Sequence, residues 1–226
     1  MIPLKDDIPS STYPYVTIAI IVTNVLVFLY ELALGGSGAE GFIYRTAAIP
    51  YEIAHLVDIS PRSIVPPPFT LLTAMFVHGG LVHLGGNMLF LWIFGDNVED
   101  TFGHFKFLFF YLFAGVIASL AHILMEPSST VPMIGASGAI AGVLGAYFVL
   151  FPRAQVKTLV FLFLFVTVAR IPAIIFLGLW FLMQVLYSGL DAGGGIAWYA
   201  HIGGFVAGAL TVLIFRPKRR RSSFQH

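Results

Sequence analysis

No cysteine occurs among the 226 residues of this chain. That excludes disulfides, a thiol nucleophile and thiolate metal sites, and it leaves the redox compartment open. Charge is nearly as scarce. Asp, Glu, Lys and Arg make up 10% of the residues, against roughly 25% in an ordinary soluble domain. At this length there is no room for a large soluble domain, and a net charge of +1 says little beside where the charges fall. What the chain has in abundance is hydrocarbon: 58% of residues are hydrophobic and the mean hydropathy is +0.90. These values predict an all-α polytopic membrane protein, one membrane domain over residues 1–226.

Six apolar segments stand out, at about 15–34, 81–98, 105–125, 137–151, 173–188 and 197–215, against the ~20 residues that cross a bilayer. Lys5-Asp6-Asp7 before the first one lacks a basic n-region, so that segment reads as an uncleaved span. A long first loop, 35–68, is punctuated by Gly35-Gly36-Ser37-Gly38 and Pro66-Pro67-Pro68, with Phe42-Ile43-Tyr44 and Ile53-Ala54-His55-Leu56 as short interfacial pieces. The apolar stretch 156–190 is too long for one span. Arg170-Ile171-Pro172 divides it, which predicts a membrane-hugging segment before Arg170 and a span after it.

With a cytoplasmic N-terminus, ten of the twelve Lys and Arg residues fall on the cytoplasmic side, and only Arg45 and Arg62 outside. This obeys the positive-inside rule. Both termini are then cytoplasmic, and the basic tail 216–226 needs no nucleic-acid explanation: it reads first as a topology anchor, with added affinity for membrane lipid second.

Two polar residues interrupt this hydrocarbon in a way that suggests chemistry. Ser137 opens the fourth segment in Gly135-Ala136-Ser137-Gly138, and His201 opens the sixth in Ala200-His201-Ile202-Gly203-Gly204. Intramembrane polar groups are functional candidates by default, and serine becomes a nucleophile beside a general base. Small residues let the two helices approach: Gly138, Gly142 and Ala146 on one, and Ala197, His201, Gly204 and Gly208 on the other. Taken alone, such stripes signify packing more often than catalysis. A third cluster shifts that balance. His78 precedes the second segment, and His83 and Asn87 stand at i and i+4 within it, on one helix face and at a depth similar to Ser137. Side-chain amide and imidazole donors suit a tetrahedral oxyanion.

In this order and on these spans, His78…His83-x-x-x-Asn87, Gly135-Ala136-Ser137-Gly138 and His201-Ile202-Gly203-Gly204-x-x-x-Gly208 resemble the rhomboid family of intramembrane serine proteases, in its compact six-helix bacterial type. The resemblance implies a six-transmembrane-helix rhomboid-like bundle in the bacterial inner membrane, with its active site toward the outer face. It implies a Ser–His dyad without an aspartate: Ser137 as nucleophile and His201 as general base, then acid, acting through an acyl-enzyme. The oxyanion hole it implies comprises His83, Asn87 and the backbone N–H groups of Ser137 and Ala136. Supporting roles fall to His78, which shapes the water-accessible cavity, and to Gly135, Gly138, Gly204 and Gly208. The stretch 189–196, with Gly193-Gly194-Gly195, resembles a cap, and the fifth span with Trp180 and Phe181 a lateral gate. Transmembrane protein substrates and lipid are the partners implied; no cofactor and no metal is, and oligomeric state is left open.

Two positions depart from the family pattern. Ala141 stands where an aromatic often stacks on the histidine, and Phe69-Thr70 where many members have Trp-Arg. The competing readings are an inactive rhomboid-like protein that binds transmembrane clients, and a small transporter, which predicts internal repeats that are not found. His55, His104 and His122 are scattered without metal-ligand spacing. Asp96, Glu99 and Asp100 are expected in a solvated turn neutralised by Lys106.

Overall fold

The twenty mostly apolar residues between Pro14 and Gly35 form one helix, α1 (Tyr15–Leu34), in a computed structural model that describes residues 1–59, 61–162, 165–190, 195–215 and 217. Short helices α2 (Gly36–Thr46), α3 (Pro50–His55) and α4 (Thr70–Thr73) occupy the first loop. Long helices follow: α5 (Leu81–Phe102), α6 (His104–Met125), α7 (Ser137–Leu150), α8 (Ala173–Leu190) and α9 (Trp198–Phe215). Four of them, α1, α6, α8 and α9, are long and apolar enough to cross a membrane. The segment Pro67–Phe76 and α5 meet at an 82° bend and pass the same test together. The 14-residue α7 is shorter. This is a polytopic, mostly helical membrane protein.

Helix α7 runs through the middle of the bundle. Nine of its fourteen residues are buried, in an unbroken run from Ala139 to Tyr147, and a helix apolar all round is one enclosed by its neighbours. Gly142 and Gly208 explain how α9 lies against it. A Cβ added to Gly208 would fall on the carbonyl oxygen of Gly142, so the two backbones touch where any larger residue would separate them. That packing is what small-xxx-small spacing permits.

The stretch before Arg170, expected as a membrane-hugging segment of unstated conformation, is β-structure. It forms an antiparallel hairpin, β2 (Gln155–Leu162) and β3 (Phe165–Pro172), extended by an N-terminal strand β1 (Ile2–Lys5) in the order β1-β2-β3. The segment is apolar enough for a helix, but Val156, Thr158, Val160, Val166, Thr167 and Val168 are β-branched, and such residues favour the pleated arrangement. Hydropathy alone registered the first property and not the second.

The acidic trio is a second correction. Asp96, Glu99 and Asp100 lie within α5, not in a solvated turn, and Glu99 and Asp100 are buried. Pro14 at the start of α1 provides no side-chain cap, so the first N–H groups of that helix need partners from elsewhere. Glu99 accepts from the N–H of Val16 at 3.0 Å and from the N–H and hydroxyl of Thr17, each at 2.7 Å. Asp100 accepts from the Ser11 N–H, the Ser11 hydroxyl and the Thr12 hydroxyl. The neighbour of Glu99 at its outer oxygen is His104, whose Nδ1 lies 2.6 Å away, and not Lys106. The helix dipole of α1 favours a carboxylate at this end.

The first loop is anchored without the Trp-Arg pair. The Thr73 hydroxyl donates to the Thr46 carbonyl at 2.7 Å, and Ala48 forms an isolated antiparallel bridge with Met133. Phe69 is exposed and Thr70 is fully buried.

Candidate active site

Ser137 is the first residue of α7, and the residue before it, Ala136, offers no side-chain cap. The N–H groups of this first turn therefore have no competing side chain, and they carry the positive end of the helix dipole. His201, in the first turn of α9, meets Ser137 across the close contact between the two helices: its Nε2 lies 2.9 Å from the Ser137 Oγ. Gly138 and Gly204 set this approach, because a Cβ on Gly204 would fall on the Gly138 carbonyl oxygen. Gly208 does the same one turn further on.

A residue not singled out in the sequence orients the imidazole. Gln184 of α8 is 5% exposed. Its Oε1 lies 2.8 Å from His201 Nδ1, while its Nε2 donates to the Trp180 carbonyl at 3.1 Å. The second bond fixes which amide atom faces the histidine. A carbonyl oxygen only accepts, so Nδ1 carries the proton and Nε2 is left to accept from the Ser137 hydroxyl. Trp180 and Trp198 flank the ring, with centroids 6.0 and 6.1 Å away. Together they occupy the orienting role for which Ala141 is too small. A glutamine in an otherwise apolar span, one turn after Trp180, was the available signal.

His83 and Asn87 come together on the other side of Ser137. Gly135 has φ +108°, a left-handed conformation suited to glycine, and a Cβ there would sit 2.6 Å from His83 Nε2 and 3.4 Å from Asn87 Nδ2. Glycine thus keeps open the space into which both donors point. His78 lies behind them. It is 1% exposed, its Nε2 is 3.0 Å from Asn87 Nδ2, and its ring meets His83 edge-on at 5.0 Å. It holds Asn87 and His83 in a polar network just outside the residues that line the cavity. One Asn87 N–H is engaged by His78, and the second is unused.

These groups share a cavity of about 670 Å³, walled by Ser137, His201, His83, Asn87, Trp180 and Trp198. Ser188, Gly195 and Ile196 form part of its rim. Gly193 and Gly194 of the expected cap lie outside the described residues, as does the basic tail apart from Pro217. A hydroxyl bonded to an imidazole, two side-chain donors and a free helix N-terminus around one cavity are the parts that acyl transfer requires.

Comparison with known proteins places these motifs in a family setting. Residues 67–218 match the family model described as "Rhomboid domain". The chain is similar to "Rhomboid protease GluP" of Bacillus subtilis, 33% identical over 88% of this chain and 34% of that protein. It also resembles "Rhomboid protein 1, mitochondrial" of Saccharomyces cerevisiae, 32% identical over 66% of this chain and 42% of the relative. "Rhomboid-like protein 11, chloroplastic" of Arabidopsis thaliana is 43% identical over 34% of this chain and 27% of its own length. The chain thus matches between about a quarter and two fifths of the length of these relatives.

Proposed function

This chain belongs to the rhomboid family, and from that premise we propose that it is an intramembrane serine endopeptidase that cuts transmembrane segments of other membrane proteins. The observation that carries the proposal is the 2.9 Å contact between His201 Nε2 and Ser137 Oγ. The name "rhomboid protease" borne by the Bacillus subtilis relative supports it.

In this reading His201 removes the Ser137 proton as Oγ attacks the scissile carbonyl, and then delivers that proton to the departing amine. The oxyanion forms beside the N–H of Ser137, with His83 Nε2–H and the unused N–H of Asn87 as further donors. Water then cleaves the acyl-enzyme by the reverse use of His201. Gln184 holds the imidazole in the productive tautomer and stabilises the imidazolium that forms, the service an aspartate renders in a catalytic triad. An amide carries no charge, so its contribution is smaller than a carboxylate's. Because Gln184 and Trp180 belong to α8, the proposed lateral gate, movement of that helix to admit a substrate also moves the group that orients His201.

The same reading counts α7 as a sixth span, the second being the bent α5. It places both termini in the cytoplasm and the cavity toward the outer face, since ten of the twelve basic residues then obey the positive-inside rule. A substrate helix must unwind locally to expose a carbonyl, so Gly or Pro near the cut favours cleavage.

The test is cleavage of a fluorescent single-span substrate in liposomes by the wild type, Ser137→Ala and His201→Ala, together with fluorophosphonate labelling. Loss of cutting in both variants, and of labelling in Ser137→Ala, is the expected result. A folded wild type that neither cuts nor labels would establish instead the inactive, client-binding reading.

A further inference from the structure

At the end of the bundle away from Ser137, the three-stranded sheet sets three cations side by side. The register pairs Lys5 with Lys157, and Lys157 with Arg170, as direct cross-strand neighbours. Like charges so placed repel one another. The described residues contain one ion pair, His104 with Glu99, and it involves none of the three. Carboxylates are close by, because Asp6, Asp7 and Asp96 line the same cavity, but each is engaged elsewhere. Asp6 accepts from Tyr147 and Asn97, Asp7 from the Gln155 N–H, and Asp96 from Ser10 and Asn97. Those hydrogen bonds leave the carboxylate charges in place, but among the described residues none of the three comes within 4 Å of the cations, so the row is open to an outside anion.

The shape of that cavity indicates which anion. It measures about 770 Å³, and its lining combines Lys5, Lys157, Arg170 and Gln155 with Ile93 and Trp92 of α5, Trp92 being 56% exposed. Trp92 lies ten residues before the end of α5 at Phe102, roughly 15 Å along the helix axis. Arg170 stands three residues before α8, a helix long and apolar enough to cross a membrane, begins at Ala173, and a cation row there suits the headgroup level of a bilayer. Beyond the row, Phe161, Phe165, Val166 and Val168 are all more than half exposed. Apolar side chains bared on both strands of a hairpin suit a lipid surface and not water. A free phosphate would use the cations alone. A phospholipid would use the cations, the apolar wall and the hairpin.

We propose that the Lys5–Lys157–Arg170 row and the α5 wall below it form a binding site for an anionic phospholipid. The headgroup phosphate lies across the three cations, an acyl chain follows α5 past Ile93 and Trp92, and the hairpin rests in the adjoining interface. The site is independent of the protease reading.

Native mass spectrometry of the purified full-length protein, titrated with phosphatidylglycerol, phosphatidylcholine or inorganic phosphate, tests it. Wild type is expected to retain phosphatidylglycerol at least about tenfold more strongly than phosphatidylcholine. Each neutralised cation should weaken that retention about fivefold, and Lys5→Gln/Lys157→Gln/Arg170→Gln about a hundredfold. Lys157→Arg/Arg170→Lys should keep it. Trp92→Ala should weaken phosphatidylglycerol binding. Should the triple variant not fold, Lys157→Gln alone reads the same effect. Equal retention of the two lipids by wild type, or of phosphatidylglycerol by wild type and the neutralised variants, would overturn the proposal. So would displacement of the lipid by millimolar phosphate, which would make this a soluble-anion site.

Discussion

At the end of the bundle where α1 begins, Glu99 and Asp100 are 0% and 3% exposed, and all four of their carboxylate oxygens accept hydrogen bonds from α1, the chain before it, or His104. At the other end, Ser137, His201, His83 and Asn87 open onto a cavity and keep donors unspent. Both ends bury polar groups in an apolar bundle, and the difference lies in satisfaction. A closed network contributes stability, because breaking it strands a charge. A network left open toward a cavity contributes little stability and keeps its capacity for a reacting molecule.

The comparison breaks most sharply at Ser137. Ser137→Ala should lower substrate cleavage by at least about a thousandfold while leaving the thermal midpoint in detergent within a degree or two. A large loss of stability would mean that the open end is structural after all. Glu99→Gln should do the reverse. It leaves His104 and the α1 N–H groups with a poorer partner, and a loss of about 3 kcal/mol is expected in reversible denaturation, with cleavage per folded molecule unchanged within about twofold.

Asp6 sharpens the comparison through pH. Burial pushes its carboxyl up from 3.8 to about 6, partly offset by the Tyr147 hydroxyl that it accepts from. The folded state therefore favours the protonated form. That contribution is whole below pH 3.8 and is lost as pH rises through 6, by up to about 3 kcal/mol. Asp6→Asn should flatten this part of the stability–pH curve, which thermal unfolding between pH 4 and 7 measures. An unchanged slope would assign it to other groups.

The smallest expected effect belongs to Gln184. Gln184→Leu should reduce kcat about 10- to 100-fold, by analogy with loss of the orienting member of a triad, with KM little altered. Gln184→Glu should restore much of kcat and move the lower limb of the pH–rate profile upward, because a carboxylate favours the imidazolium. A variant that changes stability but not the pH profile would reduce Gln184 to packing.

The parts of this protein legible in one dimension are those with a local physical cause. Span α1 could be read at its observed bounds because twenty mostly apolar residues lie between Pro14 and Gly35. The groups that converge near Ser137 were legible because a serine, two histidines and an asparagine stand out against hydrocarbon, and because their spacing resembles that of a known family. The β-hairpin was not distinguished because hydropathy alone does not separate an apolar helix from an apolar strand, and the third strand, residues 2–5, lies far away in the chain. The acidic trio was misplaced for a similar reason: its partners in α1 and the chain before it lie 82 to 89 residues away, and the local ones, Asn97 and His104, suit a solvated turn equally.

What the amino-acid sequence determined by itself was therefore the solvent this chain folds in, the identity of its apolar helices and the residue types able to do chemistry, because each follows from side-chain composition over a short window. Only the tertiary structure decided which of those residues meet. It selected Gln184 in place of an aromatic at Ala141, closed the α1 cap with α5, and aligned Lys5, Lys157 and Arg170 across three strands, because each of these rests on contacts between segments whose separation along the chain carries no record of their distance in space.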